Sequence, residues 1–171
     1  MKMKSYKTGV LLFFFLLPVY IYSLPMFPAE FSAEWVFSIS NTLGASKVVY
    51  GVNVNRSGNF QSSSPVYNYW YRPSGNNPRK VTYFENEKMY GIKQQRVAGS
   101  EVEIILKAYD DMPIKIRPSG NKVKAYVSFN GKEYQLKSVY VNAESAMIGL
   151  KVKSVYLILD ENGKEIKKKI R

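Results

Sequence analysis

The sequence predicts a mainly β protein, an antiparallel β-sandwich of about seven to nine strands with one short helix near residues 80–90. Two observations predict this class: apolar and polar residues alternate over several short runs, and turn-forming residues separate those runs. A third observation is size, since 171 residues of which 46% are hydrophobic fit one globular domain better than two. An immunoglobulin-like or similar packing of two sheets is the architecture that such a pattern favours.

The start of the chain has the pattern of an export signal. Three lysines, at positions 2, 4 and 7, precede an apolar run over residues 10–24, which is the arrangement of a signal peptide. Pro18 interrupts the run, and the run is shorter than the roughly 20 apolar residues that cross a membrane as a helix. Cleavage is the better interpretation, and an uncleaved membrane anchor is the alternative.

Cleavage near Ser23/Leu24 divides the chain into three parts. Ser23 is the small residue that processing requires. We expect residues 1–23 to be the signal peptide, residues 24–34 an N-terminal linker, and residues 35–171 a single β-sandwich domain. The protein would then be exported, to a periplasm or out of the cell.

The composition excludes several classes of enzyme. The chain has no Cys and no His, so it has no disulfide, no thiolate nucleophile, no Ser-His-Asp triad and no zinc site of the usual kind. We therefore expect no metal and no cofactor. The net charge is +12, and it is still +9 when the three lysines of the signal peptide are removed, since 22 Lys and Arg then face 13 Asp and Glu. Such a charge favours anionic partners or surfaces.

The first predicted element is an antiparallel hairpin. Trp35, Phe37 and Ile39 lie at alternate positions, and a second alternating run follows over residues 48–54. Residues 55–64 contain few apolar side chains and many turn formers, so we expect a mobile loop there.

One segment is predicted to be helical. Asn77 and Pro78 suit an N-cap and the first helical position, residues 80–90 lack Gly and Pro, and Gly91 stands where a helix would end. The apolar face of this segment also carries Lys88, so a strand is the alternative.

Five strands and two hairpin turns are predicted in the second half of the chain. Residues 101–109 and 122–129 alternate apolar and polar side chains. A two-residue turn at Asn130-Gly131 sets the register of the hairpin that follows: Val127 with Tyr134, Ala125 with Leu136, Val123 with Ser138, and Lys124 with Lys137. A last hairpin, over residues 155–170, turns at residues 160–163 with Gly163 as the left-handed residue of a bulged turn.

Several short motifs resemble one family. They are Pro65 to Trp70, Arg79-Lys80, Glu87 to Gly91, Asn130-Gly131-Lys132, Leu136 to Val141, and Gly163-Lys164-Glu165. This combination resembles the bacterial domain-of-unknown-function family 4833 over roughly residues 35–171. The resemblance implies an exported or envelope-associated single domain, and it implies no substrate, cofactor or catalytic residue.

An aromatic strand is the candidate recognition patch. Tyr67, Tyr69 and Tyr71 project from one face of it and Trp70 from the other. Rings offer flat contact area to sugars or peptides, and guanidinium groups bind carboxylate or phosphate. The candidate ligand-binding residues are therefore Tyr67, Tyr69, Trp70, Arg72, Arg79 and Tyr90. The alternative is that Trp70 belongs to the core, that the tyrosines pack under a loop, and that Tyr90 is a packing residue.

Three carboxylate pairs are candidates for acid-base chemistry: Glu85/Glu87, Glu101/Glu103 and Asp110/Asp111. Hydrolysis of this kind needs two carboxylates held several ångströms apart across a substrate. The alternative for each pair is a solvated strand or loop. A metal-independent envelope hydrolase or lyase that uses carboxylate, Tyr or Lys groups is thus the second functional hypothesis. A carboxylate buried in a pocket beside Arg or Tyr would favour it.

Basic residues cluster at the end of the sequence, where five of the last eight are Lys or Arg. With the predicted lysine pair, the basic patch consists of Lys124, Lys137, Lys167, Lys168, Lys169 and Arg171. Such a patch suits an anionic membrane surface or a wall polymer. A charged edge strand that resists aggregation is the alternative.

These observations favour an exported, non-enzymatic β-sandwich domain that binds or scaffolds an anionic envelope component or a protein partner. Nucleic acid is a weaker candidate for an exported chain, despite its basic and aromatic content. The sequence leaves the oligomeric state open.

Overall fold

The computed structural model describes residues 35–55, 59–73, 78–145 and 150–171. The predicted signal peptide and linker lie outside the described residues. A helical segment, residues 83–90, consists of α1 (Tyr83–Glu85) and a π-helical turn (Asn86–Tyr90). The strands are β1 (Phe37–Asn41), β2 (Lys47–Val52), β3 (Val66–Tyr71), β4 (Arg79–Lys80), β5 (Ile92–Ala98), β6 (Glu101–Leu106), β7 (Tyr109–Ser119), β8 (Lys122–Phe129), β9 (Lys132–Ser145), β10 (Leu150–Glu161) and β11 (Lys164–Lys169).

The mainly β class with one short helix is confirmed, but the strands are arranged differently from the prediction. They form one curled mixed sheet, a half-barrel, in the order β4-β3-β2-β1-β9-β8-β7-β6-β5, with β10 on β9 and β11 on β10. β1 and β9 run parallel. The predicted antiparallel sandwich of seven to nine strands is therefore corrected to a mixed sheet, which has eleven strands in the described part of the chain. Alternation shows that each strand has a buried face, and this holds equally for two stacked sheets and for one curled sheet.

The long strand β9 joins the two parts of the sheet. Its first part pairs with β8, and its residues 138–141 pair with β1. β10 pairs with β9 along the opposite edge of both parts, so β8 and β1 lie end to end beside β9. The apolar faces of the strands on either side of this junction share one core.

The core is filled by alternate residues of the strands. On β1 and β2, Phe37 stacks on Tyr50 with ring centroids 4.3 Å apart. Eight further large side chains on β6 to β10 are less than 2% exposed: Val102, Ile104, Ile114, Ile116, Val127, Leu136, Leu157 and Leu159. Burial of this apolar surface is the main source of stability, since the chain has no disulfides.

The predicted hairpin at Asn130-Gly131 is confirmed. Both residues have positive φ, 51° and 74°, as a type I′ turn requires. The ladder contains the predicted pairs Val127 with Tyr134 and Ala125 with Leu136.

The predicted register is wrong one step further along β9. The β8–β9 ladder ends at Leu136, and Lys137 is a β-bulge at which pairing with β10 shifts. From Ser138 onwards β9 pairs with β1 instead. The predicted pairs Val123 with Ser138 and Lys124 with Lys137 are therefore absent from the described ladder.

A second β-bulge lies in β10. Pairing with β9 shifts between Val152 and Ser154, so Lys153 is an extra residue in the strand. An extra residue resets the period-two alternation. Val152 and Val155 consequently lie on the same face of the sheet, although three positions separate them.

The last hairpin is longer and tighter than predicted. β10 begins at Leu150 rather than at residue 155, and the ladder closes with Glu161 paired to Lys164. Asn162 and Gly163 both have positive φ, 55° and 83°. The turn therefore has two residues, and the predicted bulged turn is corrected, although Gly163 is left-handed as expected.

The helical segment begins later than predicted. Asn77 lies outside the described residues, and Pro78 precedes β4 rather than a helix. Thr82 is the N-cap and forms a capping box with Glu85. The segment does end at Gly91, where a Cβ would lie 1.8 Å from the Asn86 carbonyl oxygen, so close approach of the backbone requires glycine there.

The structure also differs from the prediction at one loop and at one strand. Phe60 is 8% exposed and packs in the core, so the predicted mobile loop over residues 55–64 is wrong at that position. β7, which carries Pro113 and Pro118, was not predicted. Proline lacks an N–H group, and a strand accepts it where that group would have had no ladder partner.

Candidate functional site

The predicted aromatic patch is divided between two faces of β3. Tyr67 and Tyr69 lie on one face with ring centroids 6.0 Å apart, and the ring of Tyr67 covers Gly51. Burial, with Tyr67 and Tyr71 adjacent, raises the pKa of Tyr69 to about 12. Trp70 belongs to the opposite face and packs against the core.

Trp70 and Tyr90 do come together, with ring centroids 5.2 Å apart in an edge-to-face contact. The Tyr90 carbonyl accepts hydrogen bonds of 2.7 Å from the Tyr50 hydroxyl and of 2.7 Å from the Asn68 side chain. Burial raises the pKa of the Tyr90 phenol, which is hydrogen-bonded to Asn41. These contacts hold the end of the helical segment on the sheet, because unpaired polar groups would be costly there.

The two predicted arginines behave differently. Arg72 is exposed at the end of β3. The Arg79 guanidinium lies over the Trp70 ring, 5.6 Å from its centroid, and binds the Glu85 carboxylate at 2.9 Å. The hydrogen bond from Arg79 lowers the pKa of Glu85 to about 2. Partial burial acts to raise this pKa, and the hydrogen bonds from Thr82 lower it further. Arg79 is therefore engaged in a structural contact.

The six predicted ligand-binding residues thus form no single surface. Trp70, Arg79 and Tyr90 lie together on the side of β3 that faces the helical segment, while Tyr67 and Tyr69 lie on the other side. The Trp70 indole N–H is buried without a hydrogen bond of normal geometry, although it lies near enough to Glu85 to help lower the pKa of that carboxyl.

Four of the six candidate catalytic carboxylates, those of Glu85, Glu87, Glu101 and Asp110, bind basic side chains at the surface. Glu87 binds Lys107 at 2.5 Å and Asp110 binds Lys93 at 2.6 Å. Arg117 joins Glu101, at 3.3 Å, to Glu133. Ion pairs of this exposed kind are common on protein surfaces and indicate no acid-base role.

The predicted basic patch consists of two separate groups. Lys137 binds Asp160 at 3.2 Å, and the Gly163 amide, Lys137 and more weakly Lys124 lower the pKa of that aspartate. One acidic group therefore partly neutralises the first two lysines.

The second group lies on β11, which pairs with β10 alone among the described residues. Lys167 and Lys169 lie on one face of the strand, and Lys168 lies on the other. The Lys167 amine is 4.2 Å from the Tyr156 ring centroid and 5.1 Å from that of Tyr140. Within the described part of the chain, these three lysines and Arg171 form no ion pair.

An apolar cleft of about 370 Å³ lies between the helical segment and the strands β1, β9 and β10. Its lining includes Arg171 and two tyrosines, but none of the described residues that line it is Asp or Glu. A carboxylate in such a pocket is what would favour the hydrolase hypothesis. The described lining does not supply that carboxylate.

No local pattern in the sequence indicates this cleft. Phe84 and Lys88, both in its lining, stand four residues apart on the helical segment, where side chains are neighbours. Phe84 is 67% exposed. The one sequence signal for the cleft was therefore a weak one, an apolar residue next to a cation on a weakly amphipathic helix. The sequence pattern did not assign Val152 to the same face as Val155, because the bulge in β10 shifts the alternation.

Neither a metal centre nor a membrane-spanning helix is found among the described residues. No group of three or more Asp and Glu side chains there could hold a metal ion. No described helix is long and apolar enough to cross a bilayer.

Comparison with known proteins identifies the family. No curated protein and no solved structure matches the chain. The family described as Domain of unknown function (DUF4833) matches residues 37–169, which cover all the strands from β1 to β11. The resemblance seen in the short motifs is thereby confirmed, and the chain belongs to the DUF4833 family.

Proposed function

We propose that this protein is an exported, non-enzymatic domain that docks on an anionic membrane surface through β11. The observation that carries the proposal is a cluster of cations on β11 without carboxylate partners, whereas many cations on the other strands are paired. Lys93, Lys107, Arg117, Lys132, Lys137, Lys151 and Lys153 each bind a carboxylate. The lysines of β11 have none within the described residues, so their charge is available to a partner.

The position of β11 supports the same function. An edge strand is accessible along its length, and lysines near an anionic membrane contribute roughly 1 kcal/mol each to binding. Lys167 and Lys169 lie on the same face as Tyr140 and Tyr156, and aromatic rings suit the boundary between water and lipid.

The experiment measures co-sedimentation of the protein with vesicles of anionic and of neutral phospholipid. We expect binding to the anionic vesicles that weakens steeply with salt, because charges are screened beyond about 8 Å at physiological ionic strength. Replacing Lys167, Lys168 and Lys169 by Gln removes about 3 kcal/mol, roughly a hundredfold in affinity. The melting temperature should change little, because Lys167 and Lys169 are exposed and Gln keeps part of the aliphatic stem of the half-buried Lys168.

The matched control replaces three paired lysines, Lys93, Lys132 and Lys153, by Gln. It removes the same charge from elsewhere on the sheet, so an equal loss of binding would show a non-specific effect of net charge. If the β11 variant binds normally but aggregates, the lysines protect an edge strand and the proposal fails. Binding to an anionic wall polymer but not to vesicles would also overturn it.

Export has its own test. The proposed function requires processing near Ser23/Leu24, which places the protein in a periplasm or outside the cell. The intact mass of the protein from the envelope fraction should correspond to a chain that starts at or near Leu24. A mass that retains Lys2, Lys4 and Lys7 would mean that the chain keeps its N-terminal segment as an anchor.

A further inference from the structure

Aliphatic side chains form much of the walls of the cleft. Ile39, Val139 and Val141 contribute from the sheet, and Met89 from the helical segment. Within the described residues, no side chain of the lining has a buried polar atom without a partner. A ligand that enters therefore needs no polar group along its body, which is the property of a hydrocarbon chain.

The cleft is built by features that alternation alone would not produce. The bulge at Lys153 turns both Val152 and Val155 into it. The helical segment forms the other side and is held on the sheet by the hydrogen bonds to the Tyr90 carbonyl. Val152 is 38% exposed, so the cleft opens to solvent on this side.

The charged side chains of the cleft lining have one sign. Lys88 and Arg171 are the charged side chains among its described lining residues, and both are exposed. Neither forms an ion pair within the described part of the chain. The Arg171 backbone is fixed, since its carbonyl accepts a 3.0 Å hydrogen bond from the Val155 amide. Two unpaired cations beside an apolar cavity suit an anion attached to an apolar body.

The size of the cavity limits the ligand further. Sites for small molecules range from roughly 300 to 1,000 Å³, and this cleft of about 370 Å³ is at the lower end. One hydrocarbon chain fits such a volume better than a lipid with two chains or a folded peptide.

We propose that the cleft binds a single-chain amphiphile, its hydrocarbon chain against the aliphatic walls and its carboxylate or phosphate head at Lys88 and Arg171. This inference is independent of the docking proposed for β11. The proposed small-molecule site lies on the face of β10 opposite to the one that carries Tyr156.

The test titrates the protein with a fatty acid below its micelle concentration and follows heat and the methyl NMR signal of Met89. We expect saturable binding of one molecule, a shifted Met89 signal, and an unchanged signal from Met112, which packs on the core outside the cleft lining. The fatty alcohol of equal length should bind about tenfold more weakly, because it lacks the charge that the cations bind. A lysophosphatidic acid distinguishes a phosphate head from a carboxylate head.

Variants locate the site. Val152→Trp fills the cleft from an exposed position and should abolish binding while leaving the melting temperature unchanged. Ala108→Trp does the same from the β6–β7 turn, in case the first variant does not fold. Lys88→Gln with Arg171→Gln should weaken the acid about tenfold and leave the alcohol unaffected.

Replacement of Lys167, Lys168 and Lys169 by Gln should leave fatty-acid binding unchanged, so failure of vesicle docking and failure of this site are separable. Unchanged binding by the folded Val152→Trp variant would overturn the proposal. So would equal binding of acid and alcohol, or a dimer of this chain that Val152→Trp dissociates.

Discussion

The two ends of the β9–β10 ladder are made from the same pair of strands but have opposite surroundings. At the closed end, beside the β8–β9 and β10–β11 turns, Leu136, Leu157 and Leu159 are fully buried in the common core. At the other end, Val152 is 38% exposed and borders the cleft with Val155. Both ends carry an apolar face, so what covers the face decides whether it becomes core or a cavity.

The charges differ in the same way. At the closed end, Lys132 binds Glu161, and Lys137 binds Asp160 at 3.2 Å. At the cleft, Lys88 and Arg171 have no carboxylate partner within the described residues. Lys132 and Lys137 at the closed end are therefore neutralised internally, whereas Lys88 and Arg171 at the cleft remain available to a ligand.

The largest expected difference between the two ends comes from burying a charge. Leu136→Asp places an unpaired carboxylate in the core, and we expect it to unfold the domain or to cost more than about 4 kcal/mol. Val152→Asp at the exposed end should cost about 1 kcal/mol or less. Val127→Asp should resemble the first variant, and Lys124→Glu should be tolerated. Chemical denaturation checks all four, and equal stability of the two Asp variants of β9 and β10 would contradict the comparison.

Removing side-chain volume should show a smaller difference of the same sign. Leu157→Ala leaves a cavity in the closed core, and we expect a loss of about 2–5 kcal/mol in the free energy of unfolding. Val155→Ala removes atoms that already border a cavity, so it should cost less than about 1.5 kcal/mol. If Val155→Ala proves the more costly, the open end is packed as tightly as the core.

The helical segment that covers the open end depends on Gly91. A Cβ at this position would lie 1.8 Å from the Asn86 carbonyl oxygen, so Gly91→Ala must displace the π-helical turn. We expect a loss of about 1–3 kcal/mol together with a changed Met89 methyl signal. Gly44→Ala is the matched control, because its Cβ would meet no atom closer than 4.0 Å. Equal melting temperatures for the two variants would show that the close contact is relieved without cost.

The smallest expected effect is a pH dependence at the start of the same segment. The pKa of Glu85 is lowered to about 2 in the folded protein, so the ionised form is stabilised by folding. This contribution is fully present above the unfolded pKa, roughly 4.3, and is lost as the pH falls towards 2. Because Arg79 is solvent-accessible, we expect about 1 kcal/mol or less. Thermal melts between about pH 6 and 2 should show a loss of stability on the acid side that is smaller in the Glu85→Gln variant, because Asp110, Asp160 and Glu161, whose pKa values are also lowered, still contribute.

Much of the β-structure could be predicted because its causes are local. The alternation in β6 and β8 and the left-handed pair Asn130-Gly131 specify strands and a turn without reference to the rest of the chain. β7 escaped prediction because its prolines and adjacent aspartates are unfavourable for a strand locally, and pairing with β6 and β8 overrides that preference. Phe60 was misjudged because a single apolar residue in a polar loop shows no period.

The candidate site was less predictable than the fold. Tyr67 and Tyr69 could be assigned to one strand face and Trp70 to the other, since alternation determines this. The contact of Trp70 with Tyr90 and the pairing of Arg79 with Glu85 depend on how the helical segment returns to the sheet. No local pattern specifies that return.

The sequence by itself determined the mainly β class, the positive charge, the absence of cysteine and histidine chemistry, and the tight turns. These follow from composition and from short-range sterics. The tertiary structure alone decided that the sheet curls into a half-barrel, that β9 exchanges β8 for β1, and that one end of β10 borders a cleft. Each of these depends on which distant segments meet, and a bulge of one residue is enough to move every following side chain to the other face.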